Sequence, residues 1–87
     1  MRKVIINVTQ RDIDKGIPKN PCACPIHRAV SRRFRGQEIC VEVNVILVGA
    51  TIVQTPLEAF SFMGRFDRSG GIVVKPFKFA IEVPDDL

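Results

Sequence analysis

Hydrophobic residues recur at every second position near both ends of the chain. Val4, Ile6 and Val8 alternate with Ile5, Asn7 and Thr9, and Phe77, Phe79, Ile81 and Val83 alternate with Lys78, Ala80 and Glu82. Successive side chains of a strand point to opposite faces, so each run predicts a strand with one buried face. Pro76 suits a strand start or a sheet edge, and Pro84 ends that strand. A third run of period two covers residues 38–48, with Ile39, Val41, Val43, Val45 and Leu47 on one side and Glu42 and Asn44 on the other. It predicts one long strand or two short ones. Gly49-Ala50 would join the run to residues 51–54 as a hairpin, with a turn near Asn44 as the alternative.

Two longer segments follow a helical period instead. Pro25 behind Cys24 suits the first position of a helix, where no N–H is needed, and Gly36 suits its end. On that helix Ile26, Ala29, Val30 and Phe34 form an apolar stripe, while Arg28, Arg32 and Arg35 gather opposite it. Arg33 falls inside the stripe and must run along Phe34 or leave by the helix end. Thr55-Pro56-Leu57-Glu58 has the residues of a capping box, so a second helix is predicted from there to Ser69-Gly70-Gly71. Its apolar arc is Leu57, Ala59, Phe60, Met63 and Phe66, which predicts deeper burial than for the first helix and leaves Phe62 as the exposed aromatic. A shorter helical turn fits Thr9 as N-cap before Gln10, Arg11 and Asp12, with a loop over residues 16–21. Read in order, the elements are β-α-β-β-α-β. The expected fold is a single α+β domain over residues 1–87, a mostly antiparallel sheet with two helices on one face in the ferredoxin-like manner.

Composition narrows the classes. With 87 residues, 46% hydrophobic and 25% charged, the chain suits one packed core. The apolar run 43–53 is too short for a membrane helix, and the residues after Arg2 and Lys3 lack the apolar stretch of a signal peptide, so a cytoplasmic protein is expected. Three cysteines, an odd number, are then expected to be reduced thiols. Gly70-Gly71 follows a helix rather than a strand, the reverse of a phosphate-binding loop, and Asp85-Asp86 sits in a tail where solvation is expected.

Cys22, Cys24, His27 and Cys40 are the residue types of a zinc site, but a single residue separates the first two cysteines. Cys40 is also expected roughly 15 Å away, beyond the far end of the helix. Cys24 and His27 could pair as nucleophile and base, yet the sequence offers no third residue to orient the histidine. Neither catalysis nor a cofactor is expected. The charge is more informative: the chain carries +4, and Lys15, Lys19, Arg28, Arg32, Arg33 and Arg35 occupy a stretch, residues 15–37, without an acid. Clustered guanidinium groups bind phosphates or carboxylates in a bidentate fashion, so these six residues are the expected partner-binding set.

Val8-Thr9, Asp12-Ile13, Gly16, Cys24-Pro25-Ile26, Arg65-Phe66-Asp67, Gly70, Val74, Pro76-Phe77 and Phe79 form a combination that runs nearly end to end. In these residues the chain resembles a family of small proteins encoded by tailed phages and prophages. It departs from that family at Arg33 and in the glycine-poor run 43–53. The resemblance implies an accessory phage product of the kind that includes anti-CRISPR inhibitors, which occupy a surface of an RNA-guided effector complex. The expected function is therefore a non-enzymatic inhibitor in the host cytoplasm that binds a CRISPR effector complex through its basic helix. Two alternatives stand beside it: a small phage protein that binds DNA or RNA directly, and an adaptor stabilised by zinc on Cys22, Cys24, His27 and Cys40.

Overall fold

The computed structural model describes residues 1–20, 22–69 and 74–87. In chain order the elements are β1 (Arg2–Val8), α1 (Gln10–Lys15), α2 (Pro25–Arg33), β2 (Ile39–Val41), β3 (Val45–Val48), β4 (Thr51–Gln54), α3 (Leu57–Ser69) and β5 (Phe77–Val83). The architecture is α+β and every strand pair is antiparallel. The described strands form two sheets, β1-β5 and β2-β3-β4, in place of the single ferredoxin-like sheet the element order suggests. The extra strand explains the difference. Two tight reversals, at residues 42–44 and at Gly49-Ala50, let β2, β3 and β4 satisfy one another's backbone groups as a meander.

The reversal at residues 42–44 also shifts the phase of the apolar pattern. Ile39 and Val41 are buried as expected, but Ile46 and Val48 replace Val45 and Leu47 on the inside, and Val43 stands 64% exposed at the turn. A one-residue change of register moves every following side chain to the opposite face. Gly49 adopts φ +60°, in the left-handed region that favours glycine, and its N–H donates to Glu38 O at 2.8 Å.

The buried face of α3 is rotated from the expected one. Ala59, Phe62 and Phe66 are buried, while Leu57 and Phe60 are 75% and 46% exposed. Phe62 selects this face by stacking on Phe77 with ring centroids 4.7 Å apart, within a row that continues to Phe66 and Phe79. Phe62 is therefore a core residue and Phe60 the exposed aromatic, and α3 is less deeply buried than α2. Thr55 does not form the expected capping box. Its N–H donates to Asn44 O at 2.9 Å, its buried hydroxyl finds no partner among the described residues, and the helix starts at Leu57. Gly70 and Gly71, the expected end of this helix, and Pro21 of the expected loop lie outside the described residues.

Helix α2 joins the two sheets by packing on both β1 and β2. Cys24 caps it, with Sγ accepting from His27 N at 3.4 Å, and Pro25 opens it. Short α1 carries a complete capping box. Thr9 Oγ1 accepts from Asp12 N at 3.2 Å, and Asp12 Oδ2 accepts from Thr9 N at 2.9 Å. Asp12 is fully buried, and Arg32 of α2 grips it with both terminal nitrogens, each 2.8 Å from a carboxylate oxygen. Arg32 Nη2 also donates to Asn7 O of β1 at 2.8 Å, so one guanidinium fastens α1, α2 and β1 together.

Burial alone would raise the Asp12 pKa, but hydrogen bonds from Arg32 and Thr9 and the arginine's charge outweigh it and hold the carboxyl below its ordinary value. A depressed folded-state pKa contributes stability that is present above the unfolded value of about 4 and is lost as pH falls through the folded value. Asp12→Ala should therefore cost about 3 kcal/mol at neutral pH. The gap from the parent protein should narrow on acidification, as read by urea unfolding between pH 7 and pH 2. A gap that stays constant would show that Asp12 is not the titrating group.

Candidate anion-binding hollow

The outer side of α2 forms one wall of a shallow hollow lined by Lys15, Cys22, Ala23, His27, Arg28, Ser31, Arg32 and Arg35. Its basic character follows in part from helical spacing, because residues 28 and 32 lie one turn apart on one face of α2, and Arg35 joins them from the turn after the helix. Lys15, in the last turn of α1, faces them. Four of the six expected cationic residues, Lys15, Arg28, Arg32 and Arg35, thus converge.

The other two diverge. The Arg33 guanidinium lies 5.3 Å from the centroid of the Phe34 ring, a cation–π arrangement on its own helix end. Lys19 has φ +61°, its N–H donates to Asp67 Oδ1 at 2.8 Å, and it borders a separate, mostly apolar groove with Val43, Phe60 and Met63. That groove is where the exposed Phe60 lies.

Within the hollow the cations differ in freedom. Arg32 is committed to Asp12, which also raises the guanidinium's own pKa, and Arg28 Nε stands 3.4 Å from Asp12 Oδ1. Arg32 is thereby fixed in position, whereas Arg28 Nε makes an ion-pair contact alone and has no hydrogen-bond partner among the described residues. Lys15 and Arg35 are exposed, and neither takes part in an ion pair among the described residues. Four cations share one carboxylate, so positive charge remains in excess. The acid-free stretch 15–37 did not reveal this carboxylate, because Asp12 lies outside the stretch and reaches it only through the packing of α1 on α2.

His27 holds helix to sheet. Its Nε2 donates to Ile39 O of β2 at 3.1 Å, and its Nδ1 stands 3.4 Å from the Ser31 hydroxyl. Both ring nitrogens are thereby engaged away from Cys24, whose sulfur accepts from the backbone N–H of His27. Cys24 is buried, and burial raises its thiol pKa.

Cys40 is not remote from the start of α2. Residues 34–38 can span about 3.3 Å each, enough to retrace the helix. They return the chain so that β2 runs beside the first turn of α2, where His27 bonds to Ile39 O at 3.1 Å. Cys40, next to Ile39, is thus brought back to the start of α2 and not left roughly 15 Å away beyond its far end. Among the described residues no three Cys, His, Asp or Glu side chains converge as a metal-holding group. No described helix is long and apolar enough to cross a membrane.

The chain matches no family model, no curated protein and no solved structure.

Replacing Lys15 and Arg35 together by glutamine should leave the melting temperature within a degree or two, since exposed charges contribute little to stability. Arg32→Gln should instead lower stability by about 2 kcal/mol, because it leaves Asp12 buried with fewer partners. Thermal melts of the two variants side by side check the division between free and committed cations.

Proposed function

We propose that this is a non-enzymatic binding protein whose hollow on α2 takes a phosphate- or carboxylate-bearing surface of a macromolecular partner. The observation that carries this reading is the convergence of Lys15, Arg28, Arg32 and Arg35 on one concave face, with Arg32 held by a bidentate pair with Asp12. Rigid guanidinium groups lose little side-chain entropy on binding, and exposed flexible cations beside them speed encounter with an anionic surface. Both kinds are present in the same hollow.

The sequence resemblance to small phage proteins gives the partner its class: a host RNA-guided defence complex, rich in nucleic acid and in acidic surface, which the protein inhibits by occupancy. Stoichiometric blocking needs complementary charge and a rigid presenting helix, and no turnover. His27 supports that presentation by tying α2 to Ile39 of β2.

Affinity capture from cells that carry such an effector complex should recover its subunits, and the Lys15→Gln, Arg35→Gln double variant should recover about tenfold less, as expected when two charged contacts are lost at an interface. Recovery of no effector subunit, with phage escape unchanged, rejects the inhibitor reading. Direct nucleic-acid binding is distinguished in a parallel titration of bare oligonucleotides, where log affinity should fall with log salt at a slope near −0.9 per phosphate neutralised.

A further inference from the structure

The groove bordered by Lys19 opens between α3 and the reversal at residues 42–44, and it shares no lining residue with the basic hollow. Its floor is the buried Val41, Phe62 and Phe66, and its walls include the half-buried Met63 and the exposed Val43 and Phe60. Aromatic and thioether side chains adapt to varied apolar guests. The cavity holds about 280 Å³. Ligand pockets run from roughly 300 to 1,000 Å³, so this one suits a body no larger than a single ring with a short chain.

Gly64 keeps the groove open. It lies in the middle of the 13-residue helix α3, where glycine is less favourable than alanine because its backbone loses more freedom on folding. The fold itself does not call for it. Gly64 is not among the glycines of positive φ, and an added Cβ would meet only Arg68 Nη1, at 3.6 Å, an ordinary contact. What a side chain at this position would take up is the space of the groove that Gly64 lines. The charged residues that line the groove are Glu42, Asp67 and Lys19, a net negative rim on a chain whose total is +4. Neither carboxylate joins an ion pair among the described residues. Asp67 Oδ1 accepts the Lys19 backbone N–H at 2.8 Å, and Glu42 Oε1 accepts the Cys40 S–H at 3.4 Å. Both donors are neutral, so the negative charge of each carboxylate is left unbalanced. The bond to Lys19 also ties the loop ahead of α2 to α3, which fixes the width of the groove.

We propose that this groove binds a small organic ammonium ion, with an aromatic or aliphatic body over Gly64 and the positive end at Glu42 and Asp67. The faces of phenylalanine rings carry partial negative charge and favour a nearby cation as well as a stacked ring. A neutral guest would leave the two carboxylates unanswered. An anionic guest would be repelled by them and drawn instead to the basic hollow. The site stands independently of the partner-binding role proposed for that hollow, since it uses none of its residues.

The test follows the backbone amides of the isotope-labelled full chain by NMR during titration with phenethylammonium and, in parallel, with hydrocinnamate, which has a similar body and the opposite charge. The ammonium should give saturable shifts around Lys19, Val43 and Gly64, and hydrocinnamate should bind there roughly tenfold more weakly. Glu42→Gln should weaken the ammonium by about threefold, the effect of one exposed charge contact. Gly64→Leu should abolish the saturable shifts. Gly64→Ala, the smaller step, should bind more weakly while melting a few degrees higher, as expected when alanine replaces glycine inside a helix. Four results would overturn the proposal: equal binding of hydrocinnamate at these amides, shifts that persist in Gly64→Leu, no shift with phenethylammonium at all, or a Gly64→Ala variant that melts below the parent and so shows glycine to be needed by the fold. Groove amides that shift on simple dilution would place a second copy of the chain there and equally reject the small ligand.

Discussion

A single carboxylate with no access to water organises this small domain. Asp12 lies at the end of a capping box on α1, under α2 and beside β1, and its two oxygens are met by Thr9 N, by both terminal nitrogens of Arg32 and at longer range by Arg28. Burying an ion is costly unless its lone pairs are filled with good geometry, and here they are. The arrangement fixes the roll of α2 about its own axis. With Arg32 facing α1, Ile26, Ala29 and Val30 must face the sheets, so the core and one wall of the basic hollow are two results of one ion pair.

How much of this the sequence discloses depends on the range of the interaction. The α+β class, β1, β5, the start of α2 at Cys24-Pro25 and the cap on α1 all follow from alternation or from residues within four positions of each other. The strand pattern misleads after Val41, because period two is blind to a three-residue reversal that restarts the alternation in the opposite phase. For α3 the arc of Phe60, Phe62, Met63 and Phe66 is apolar nearly all round, and the choice of inner face is made by Phe77, fifteen residues beyond Phe62. No local rule contains that choice.

The candidate site divides along the same line. Clustering of arginine and lysine between residues 15 and 37 is plain in the sequence, and helical spacing brings Arg28 and Arg32 together, with Arg35 joining them from the turn after α2. Which of them are free is decided by Asp12 from outside that stretch, and Arg33 turns back onto Phe34. The cysteines were misplaced by treating the connection after α2 as a continuation away from the helix. It is a return, and His27 bonding to Ile39 marks where it arrives.

The pairing of β1 with β5 sets an order on how the molecule can be made. Arg2 lies opposite Val83, and Arg2 Nη2 donates to Leu87 O at 2.6 Å, so β1 finds its neighbour only in β5, after every other described element has been made. The meander of β2, β3 and β4 joins residues close in sequence and can assemble early, whereas β1 must remain without its ladder until β5 has been made. During that interval the apolar face of Val4, Ile6 and Val8 is uncovered and the backbone edge of β1 is unpaired, and a cell producing this chain must keep both from joining those of another copy.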